Sequence, residues 1–311
     1  MVITMYIALA LLCMVLCAVQ EIMGKEVSNE NIKSETMFIN TYLFLGLFKV
    51  LLIAVTVGSA FVFRPLMLIL ILPNIVISAV ITYLYLKALK LLPVSVVVPI
   101  YLIYYPVSML FTIGLLKEQV SPMQLISMGV IFVMILTLSI STSKNRLNKG
   151  INKEHLEETH KRFGLHMGSI SKGIVYIVTA GLLNGFLILL DKNAYNAGLT
   201  ANEMILFGGM SSIIISFIFY AIIKKKYTRK GNKYLYTMTP LMLMTIGMKF
   251  LCSVTYATSM KMGNATIVVP IVASSILLVE ILSSYFLKEK LRKREYLCIV
   301  IFMIAIIVLI V

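Results

Sequence analysis

The stretches "YLKALKLLPVSVVVPI" (residues 85–100) and "YATSMKMGNATIVVPI" (residues 256–271) lie 171 residues apart and share a Tyr, a Lys and the whole of "VVPI". At the same shift, and without a gap, "LLKEQV" (115–120) meets "FLKEKL" (286–291). Two separate matches at the same shift of 171 residues are not expected by chance. The chain is therefore predicted to contain two copies of one ancestral unit.

The composition places both copies in a membrane. Of the 311 residues, 60% are hydrophobic and only 13% are charged, and the mean hydropathy is +0.97. A helix needs roughly 20 apolar residues to cross about 30 Å of hydrocarbon, and continuous runs of this length exclude the alternating pattern of a β-barrel. The runs predict ten transmembrane helices, at 3–24, 38–62, 66–87, 94–116, 122–142, 172–190, 202–223, 237–259, 265–287 and 295–311.

The repeat and the helix count together predict the domain organisation. Residues 1–142 form the first five-helix repeat, residues 143–171 form a basic polar linker, and residues 172–311 form the second repeat. Because five is odd, the second repeat crosses the membrane upside down relative to the first. The predicted fold is thus all-α, with ten helices in two inverted repeats, an arrangement typical of secondary transporters.

This pattern resembles the EamA-type transporters of the drug/metabolite transporter superfamily. The resemblance rests on the ten-helix count and on the proline-bearing fourth and ninth helices, each followed by Lys-Glu at Glu118 and Glu289. Lys49 lies where that family commonly has an Arg in the second helix. The chain departs from the family in having no Trp and in placing Glu280 inside the ninth helix. The resemblance implies a transporter built on two five-helix halves, for which the family does not fix the solute.

The distribution of Lys and Arg predicts the orientation. Most of the 28 basic residues fall in the odd-numbered loops, and short loops rich in Lys and Arg face the cytoplasm. Both termini are then expected outside a cell membrane, whereas relatives in the superfamily are usually drawn with both inside. The net charge of +15 is explained by orientation and by anionic lipid, so no nucleic-acid partner is predicted.

No metal site and no cofactor are predicted. Cys13 and Cys17 share a helix face, but no His or acidic residue completes a ligand set around them. The histidines all lie in the linker, without an H-E-x-x-H spacing or a cysteine pair. They are His155, His160 and His166.

Ionisable residues inside predicted spans are the first functional candidates, because charge in hydrocarbon is costly. Lys49 lies in the second span, Lys249 in the eighth and Glu280 in the ninth. Glu280 and Lys249 lie at depths that permit either a structural ion pair or a role in substrate binding or proton coupling. No acid is obviously placed to pair with Lys49. Glu21 and Asp191 are read as solvated helix ends.

The repeated segments supply the second group of candidates. Tyr85 and Tyr256 recur by symmetry, and Tyr101 lies nearby. Pro99 and Pro270 each remove a backbone donor at equivalent points, and interrupted helices in corresponding positions mark the central site of repeat-built transporters. Inherited packing is the alternative explanation for both pairs.

These features predict a secondary transporter that moves a small polar or amphipathic solute by alternating access, with export as the direction considered. Catalytic motifs are lacking, so no enzyme is expected. The two lysines favour a solute with a carboxylate or phosphate, and Glu280 is the expected proton site if transport is coupled. The predicted partners are thus a small molecule, membrane lipid and, with coupling, protons. A flippase for lipid-linked headgroups, or an accessory subunit without transport of its own, is the alternative.

Overall fold

The fold was examined in a computed structural model of the chain. It describes residues 2–29, 34–56, 65–91, 97, 100–149, 167–227, 238–286 and 293–310. Helix is the regular secondary structure throughout these residues, which confirms the all-α class. The helices are α1 (Val2–Asn29), α2 (Ser34–Thr56), α3 (Pro65–Leu91), α4 (Tyr104–Gly114), α5 (Pro122–Lys149), α6 (Met167–Asn196), α7 (Ala201–Tyr227), α8 (Pro240–Met262), α9 (Ala265–Ala273), α10 (Ser275–Phe286) and α11 (Lys293–Ile310).

Five of the helices in the described part of the chain are long and apolar enough to cross a membrane. Their spans are Met5–Gly24, Glu35–Thr56, Lys172–Asn196, Ala201–Ile223 and Pro240–Met262. Shorter apolar helical segments occupy Leu72–Ala88, Pro122–Met134 and Ala265–Val279. Side chains such as Ile214, Phe217 and Ile222 of α7 are more than half exposed, which suits a lipid environment. The full count of ten spans and the inverted topology remain predictions.

Side-chain caps fix where three helices begin. Thr200 and Glu203 form a reciprocal capping box at the start of α7, where Thr200 N–H donates to Glu203 Oε2 (2.7 Å) and Glu203 N–H donates to Thr200 Oγ1 (3.2 Å). Ser121 and Gln124 pair in the same way before α5. Thr239 accepts from the N–H of Met242 at the start of α8.

The described helices cluster into two compact units, each with residues from both halves of the sequence. The first unit comprises residues 1–79 and 187–283, and the second comprises residues 80–186 and 284–311. These units reflect packing and not sequence similarity, so the predicted division into two repeats and a linker stays a prediction. The linker histidines lie outside the described residues, although α5 runs to Lys149 and α6 begins at Met167.

Two antiparallel helix pairs build the first unit. Helix α1 packs along α8, and Ser259 Oγ donates to the carbonyl of Tyr6 at 2.8 Å. Helix α2 packs along α7, and Ser216 Oγ donates to the carbonyl of Ile39 at 2.9 Å. Serine hydroxyls that bond backbone carbonyls across helices let those helices approach closely in an apolar environment.

The second unit is held by contacts between α4, α5, α6 and α11. Helix α5 packs on α11, and the buried hydroxyl of Tyr105 in α4 donates to the carbonyl of Met128 in α5 at 3.2 Å. Helix α6 approaches α4 through glycine: a Cβ placed on Gly185 would lie 2.6 Å from Cγ1 of Val107. This close approach requires glycine at that position.

The predicted ninth span is not one continuous helix. Helix α9 ends at Ala273 and α10 begins at Ser275, with Pro270 buried inside α9. The N–H of Ser274 donates to the carbonyls of Pro270 (3.1 Å) and Ile271 (3.2 Å). Proline has no N–H, so Pro270 cannot make the usual intrahelical donation to the carbonyl of Thr266, and the helix is interrupted one turn later, at Ser274.

Candidate functional site

Four polar side chains from four helices of the first unit form the candidate site. Lys49 belongs to α2, Asn74 to α3, Asp191 to α6 and Lys249 to α8. The helices that carry these four residues are otherwise strongly apolar: α2, α6 and α8 contain candidate membrane spans, and α3 contains a long aliphatic run. Polar and charged side chains are rare at membrane depth and are functional candidates where they occur.

Asp191 and Asn74 are joined by a hydrogen bond. The Nδ2 group of Asn74, which is buried with only 9% of its surface exposed, donates to Oδ1 of Asp191. An amide donor orients the carboxylate and satisfies one of its oxygens. Asp191 is therefore held in a defined position by a residue 117 positions earlier in the chain.

Lys49 lies within electrostatic range of both Asp191 and Lys249. Lys49 is thus under the influence of one like charge and one opposite charge, and the three formal charges together leave an excess of one positive charge. Like charges in a medium of low dielectric repel strongly. The arrangement favours the entry of an anionic group, which would satisfy the lysine that Asp191 does not neutralise.

Glycines of α7 make room for Lys49. A Cβ placed on Gly208 would lie 3.9 Å from Nζ of Lys49, with no other atom within 4 Å, whereas a Cβ placed on Gly209 would lie 2.8 Å from Cβ of Lys49. Gly209 thus allows α7 to pass directly over the stem of the lysine. Gly208 leaves open space beside the lysine ammonium group.

Two further lysines of the first unit have a structural role. Nζ of Lys192 in α6 donates to the carbonyls of Met260 (3.2 Å) and Gly263 at the end of α8. Nζ of Lys261 in α8 donates to the carbonyl of Tyr195 in α6 at 3.1 Å. Cations near helix C-termini satisfy carbonyls that lack an intrahelical partner. These bonds distinguish Lys192 and Lys261 from the site lysines.

The sequence prediction for Lys49 and Asp191 was wrong in one respect. Asp191 does act on Lys49. Neither Asp191 nor Glu21 is a helix end, because α6 continues to Asn196 and α1 to Asn29, and the candidate spans include both acids. Asn74 was missed. The one available signal was an amide in the middle of the apolar run "LILILPNIVISAV".

The remaining predicted residues that the structure describes are divided between the two units. Glu280 lies in α10, but its side chain is outside the described part of the structure, so a pairing with Lys249 stays a prediction. Tyr85 and Tyr101 pack edge to face in the second unit, with ring centroids 5.0 Å apart. Tyr256 lies half-buried on α8 in the first unit. Pro99 lies outside the described residues.

Comparison with known proteins shows the family. The chain matches the EamA-like transporter family twice, over residues 4–140 and again over residues 171–311. The chain belongs to this family. It is accordingly a multi-pass membrane protein of a transporter family, and that family is not one of enzymes.

A solved structure supports the same fold for this EamA-like transporter. A chain titled only "Crystal structure of protein" superposes with a TM-score of 0.72 at 10% sequence identity, covering 98% of this chain and 97% of that chain. At this identity the likeness shows the fold alone. No curated protein matches the sequence.

Proposed function

We propose that this EamA-like transporter carries a small solute with a single carboxylate or phosphate group, and that Lys49 and Lys249 bind the anion. The observation that supports this is the electrostatic influence of both Lys249 and Asp191 on Lys49, from helices that are otherwise apolar. The excess positive charge is complementary to one negative charge on the solute.

Asp191 is assigned a positioning role at this site. Its carboxylate is oriented by Asn74 and attracts the ammonium group of Lys49. This attraction offsets the repulsion between the two lysines while no solute is bound. A solute that also carries an ammonium group would find Asp191 available for it. The site therefore accommodates organic acids and zwitterions better than simple amines or sugars.

Movement of the solute is proposed to follow alternating access of the two inverted repeats. The interruption between α9 and α10 near Pro270 supports this, because broken helices provide the backbone groups and the freedom of movement that such transporters use. Glu280 is proposed as the proton-linked acid if transport is coupled to a gradient. Outward transport and location in the cell membrane belong to the same proposal.

The test is solute uptake by the purified chain in proteoliposomes, with a panel of organic acids, phosphorylated compounds, amino acids, amines and sugars. Lys49→Met and Lys249→Met are compared with Lys261→Met, which removes a lysine of α8 that bonds a backbone carbonyl. We expect anionic solutes to be transported, and each site variant to lose at least tenfold in uptake while the control keeps most of it. Equal uptake by wild type and both site variants would refute the assignment.

Proton coupling has a separate experiment. Uptake is measured with and without a pH gradient for the wild type and for Glu280→Gln. Transport that follows the gradient and loses this dependence in the variant supports Glu280 as the coupling group. Transport that is indifferent to both shows a facilitator without a proton site at Glu280.

A further inference from the structure

Three cysteine sulfurs meet in the first unit, between α1 and α8. Cys13 and Cys17 lie one turn apart on one face of α1, and Cys252 lies opposite them on α8. The Sγ atom of Cys13 is 3.4 Å from that of Cys252 and 3.9 Å from that of Cys17. All three sulfurs lie within 4.8 Å of one another. Sequence spacing gave only two of these ligands, and the antiparallel packing of α1 on α8 supplies the third.

The cluster is enclosed by protein. The side chain of Cys13 is fully buried, Cys252 is 8% exposed, and Cys17 is half-buried. Sulfurs bound to one metal at about 2.3 Å lie roughly 3.8–4.0 Å apart in tetrahedral or trigonal geometry. The Cys13–Cys17 pair already has this spacing, the Cys13–Cys252 pair is slightly closer, and the sulfurs of Cys17 and Cys252 separate when their disulfide is reduced.

We propose that the three cysteines, in their reduced form, bind one soft thiophilic cation, and that Cu(I) is the ion they fit. Thiolates select soft ions such as Cu(I) over hard ones. Zinc prefers four ligands, and among the described residues no His, Asp or Glu joins the three sulfurs as a fourth ligand. A set of three sulfurs in an apolar surrounding favours a three-coordinate monovalent ion.

Neighbours on α8 support the charge and orientation of the sulfurs. Lys249 precedes Cys252 by three residues and so lies on the same helix face, where its charge offsets that of bound thiolates. The hydroxyl of Thr255 donates to the carbonyl of Cys252 at 3.0 Å and so helps to fix the backbone that carries this sulfur. Hydrogen bonds outside the ligand set orient metal ligands and tune their affinity.

The structure also shows the oxidised form of the same cluster, because Cys17 and Cys252 are joined in a disulfide and Cys13 is a free thiol. The disulfide consumes two of the three sulfurs, so it and the metal exclude each other. A water-soluble phosphine restores the thiols: the two sulfurs gain two electrons and two protons, while the phosphine takes oxygen from water and becomes the phosphine oxide.

The experiment titrates Cu(I), without oxygen, into the purified full chain in detergent after phosphine treatment, against a chromophoric Cu(I) chelator. The variants are Cys13→Ser and Cys13→Ala, and the matched control is Cys298→Ser, which removes the other buried cysteine that is not part of the disulfide. Gel filtration and far-UV circular dichroism check that each variant is folded. Thiol titration in denaturant counts the reduced cysteines before metal is added.

The wild type and Cys298→Ser are expected to withhold one Cu(I) per chain from the chelator. Either folded variant at Cys13 is expected to bind at least tenfold more weakly. Unchanged affinity in both Cys13 variants, an equal loss in Cys298→Ser, or a cysteine pair that stays oxidised after phosphine treatment would each overturn the proposal. None of these outcomes depends on transport, so the proposed function stands or falls separately.

Discussion

Substitution of Gly209 by alanine tests the packing that positions Lys49. In the first unit α2 and α7 approach so closely that a Cβ on Gly209 would lie 2.8 Å from Cβ of Lys49, 3.1 Å from the carbonyl oxygen of Gly46 and 3.3 Å from Cγ2 of Val50. Carbon atoms in contact prefer separations of about 3.5–4.0 Å. The two helices would therefore have to separate by roughly 1 Å at the crossing.

The cost of this separation can be estimated. Forcing an extra methyl group into a packed contact typically destabilises a protein by about 1–3 kcal/mol, and here the first atom in the way is the Cβ at the base of Lys49, which cannot rotate aside. The opposing gain in helix propensity from glycine to alanine is at most about 1 kcal/mol. The net expectation is a loss of stability and a displaced Lys49.

The matched control is Gly247→Ala in α8, where a Cβ would meet no atom within 4 Å. This variant receives the propensity gain without the clash, so its unfolding midpoint is expected at or above that of the wild type. Circular dichroism at 222 nm, followed through a denaturant titration in detergent, measures both variants. Equal midpoints for Gly209→Ala and Gly247→Ala would refute the reasoning from close helix approach.

Three other predictions concern single contacts. Gly208→Ala places a methyl group 3.9 Å from Nζ of Lys49 without other contacts, so it is expected to leave the unfolding midpoint unchanged but to raise the KM for anionic solutes severalfold in proteoliposomes; an unchanged KM would argue against anion binding at that ammonium. Thr200→Ala removes the hydroxyl that accepts from the N–H of Glu203 and is expected to lower the free energy of unfolding by about 1 kcal/mol in the same titration. The control is Thr56→Ala, which removes an exposed hydroxyl at the end of α2 and is expected to change that free energy very little. Tyr105→Phe removes the buried bond to the carbonyl of Met128 and is expected to cost about 0.5–1.5 kcal/mol; a cost near zero would mean that this bond does not contribute to packing in the second unit.

Much of the fold could be predicted from the sequence, because hydropathy and repetition act over long windows. The apolar runs identified helices such as α2 and α7, and the repeated "VVPI" pointed to the family that the comparison shows. The ends were less accurate. The apolar run before Asp191 stops at residue 190, yet α6 continues to Asn196, because a helix surrounded by other helices tolerates polar residues that a hydropathy window excludes.

The site was only half predictable for a related reason. A charged residue in an apolar run is conspicuous, so Lys49 and Lys249 could be found from the sequence. Their partners depend on which helices pack together, and no periodicity specifies that Asn74 of α3 will meet Asp191 of α6. The cysteine cluster illustrates the same limit, since its third sulfur comes from 235 residues beyond Cys17.

The bonds made by Lys192 and Lys261 have a consequence for motion. Lys192 of α6 bonds a backbone carbonyl of α8, and Lys261 of α8 bonds a backbone carbonyl of α6. The C-terminal ends of the two helices are therefore joined by hydrogen bonds in both directions. Two such bonds oppose separation of the ends of α6 and α8. Under the proposed transport mechanism, we therefore expect spin labels at these two ends to keep a constant separation, and the change of access around Asp191 and Lys249 to come from helices other than these two.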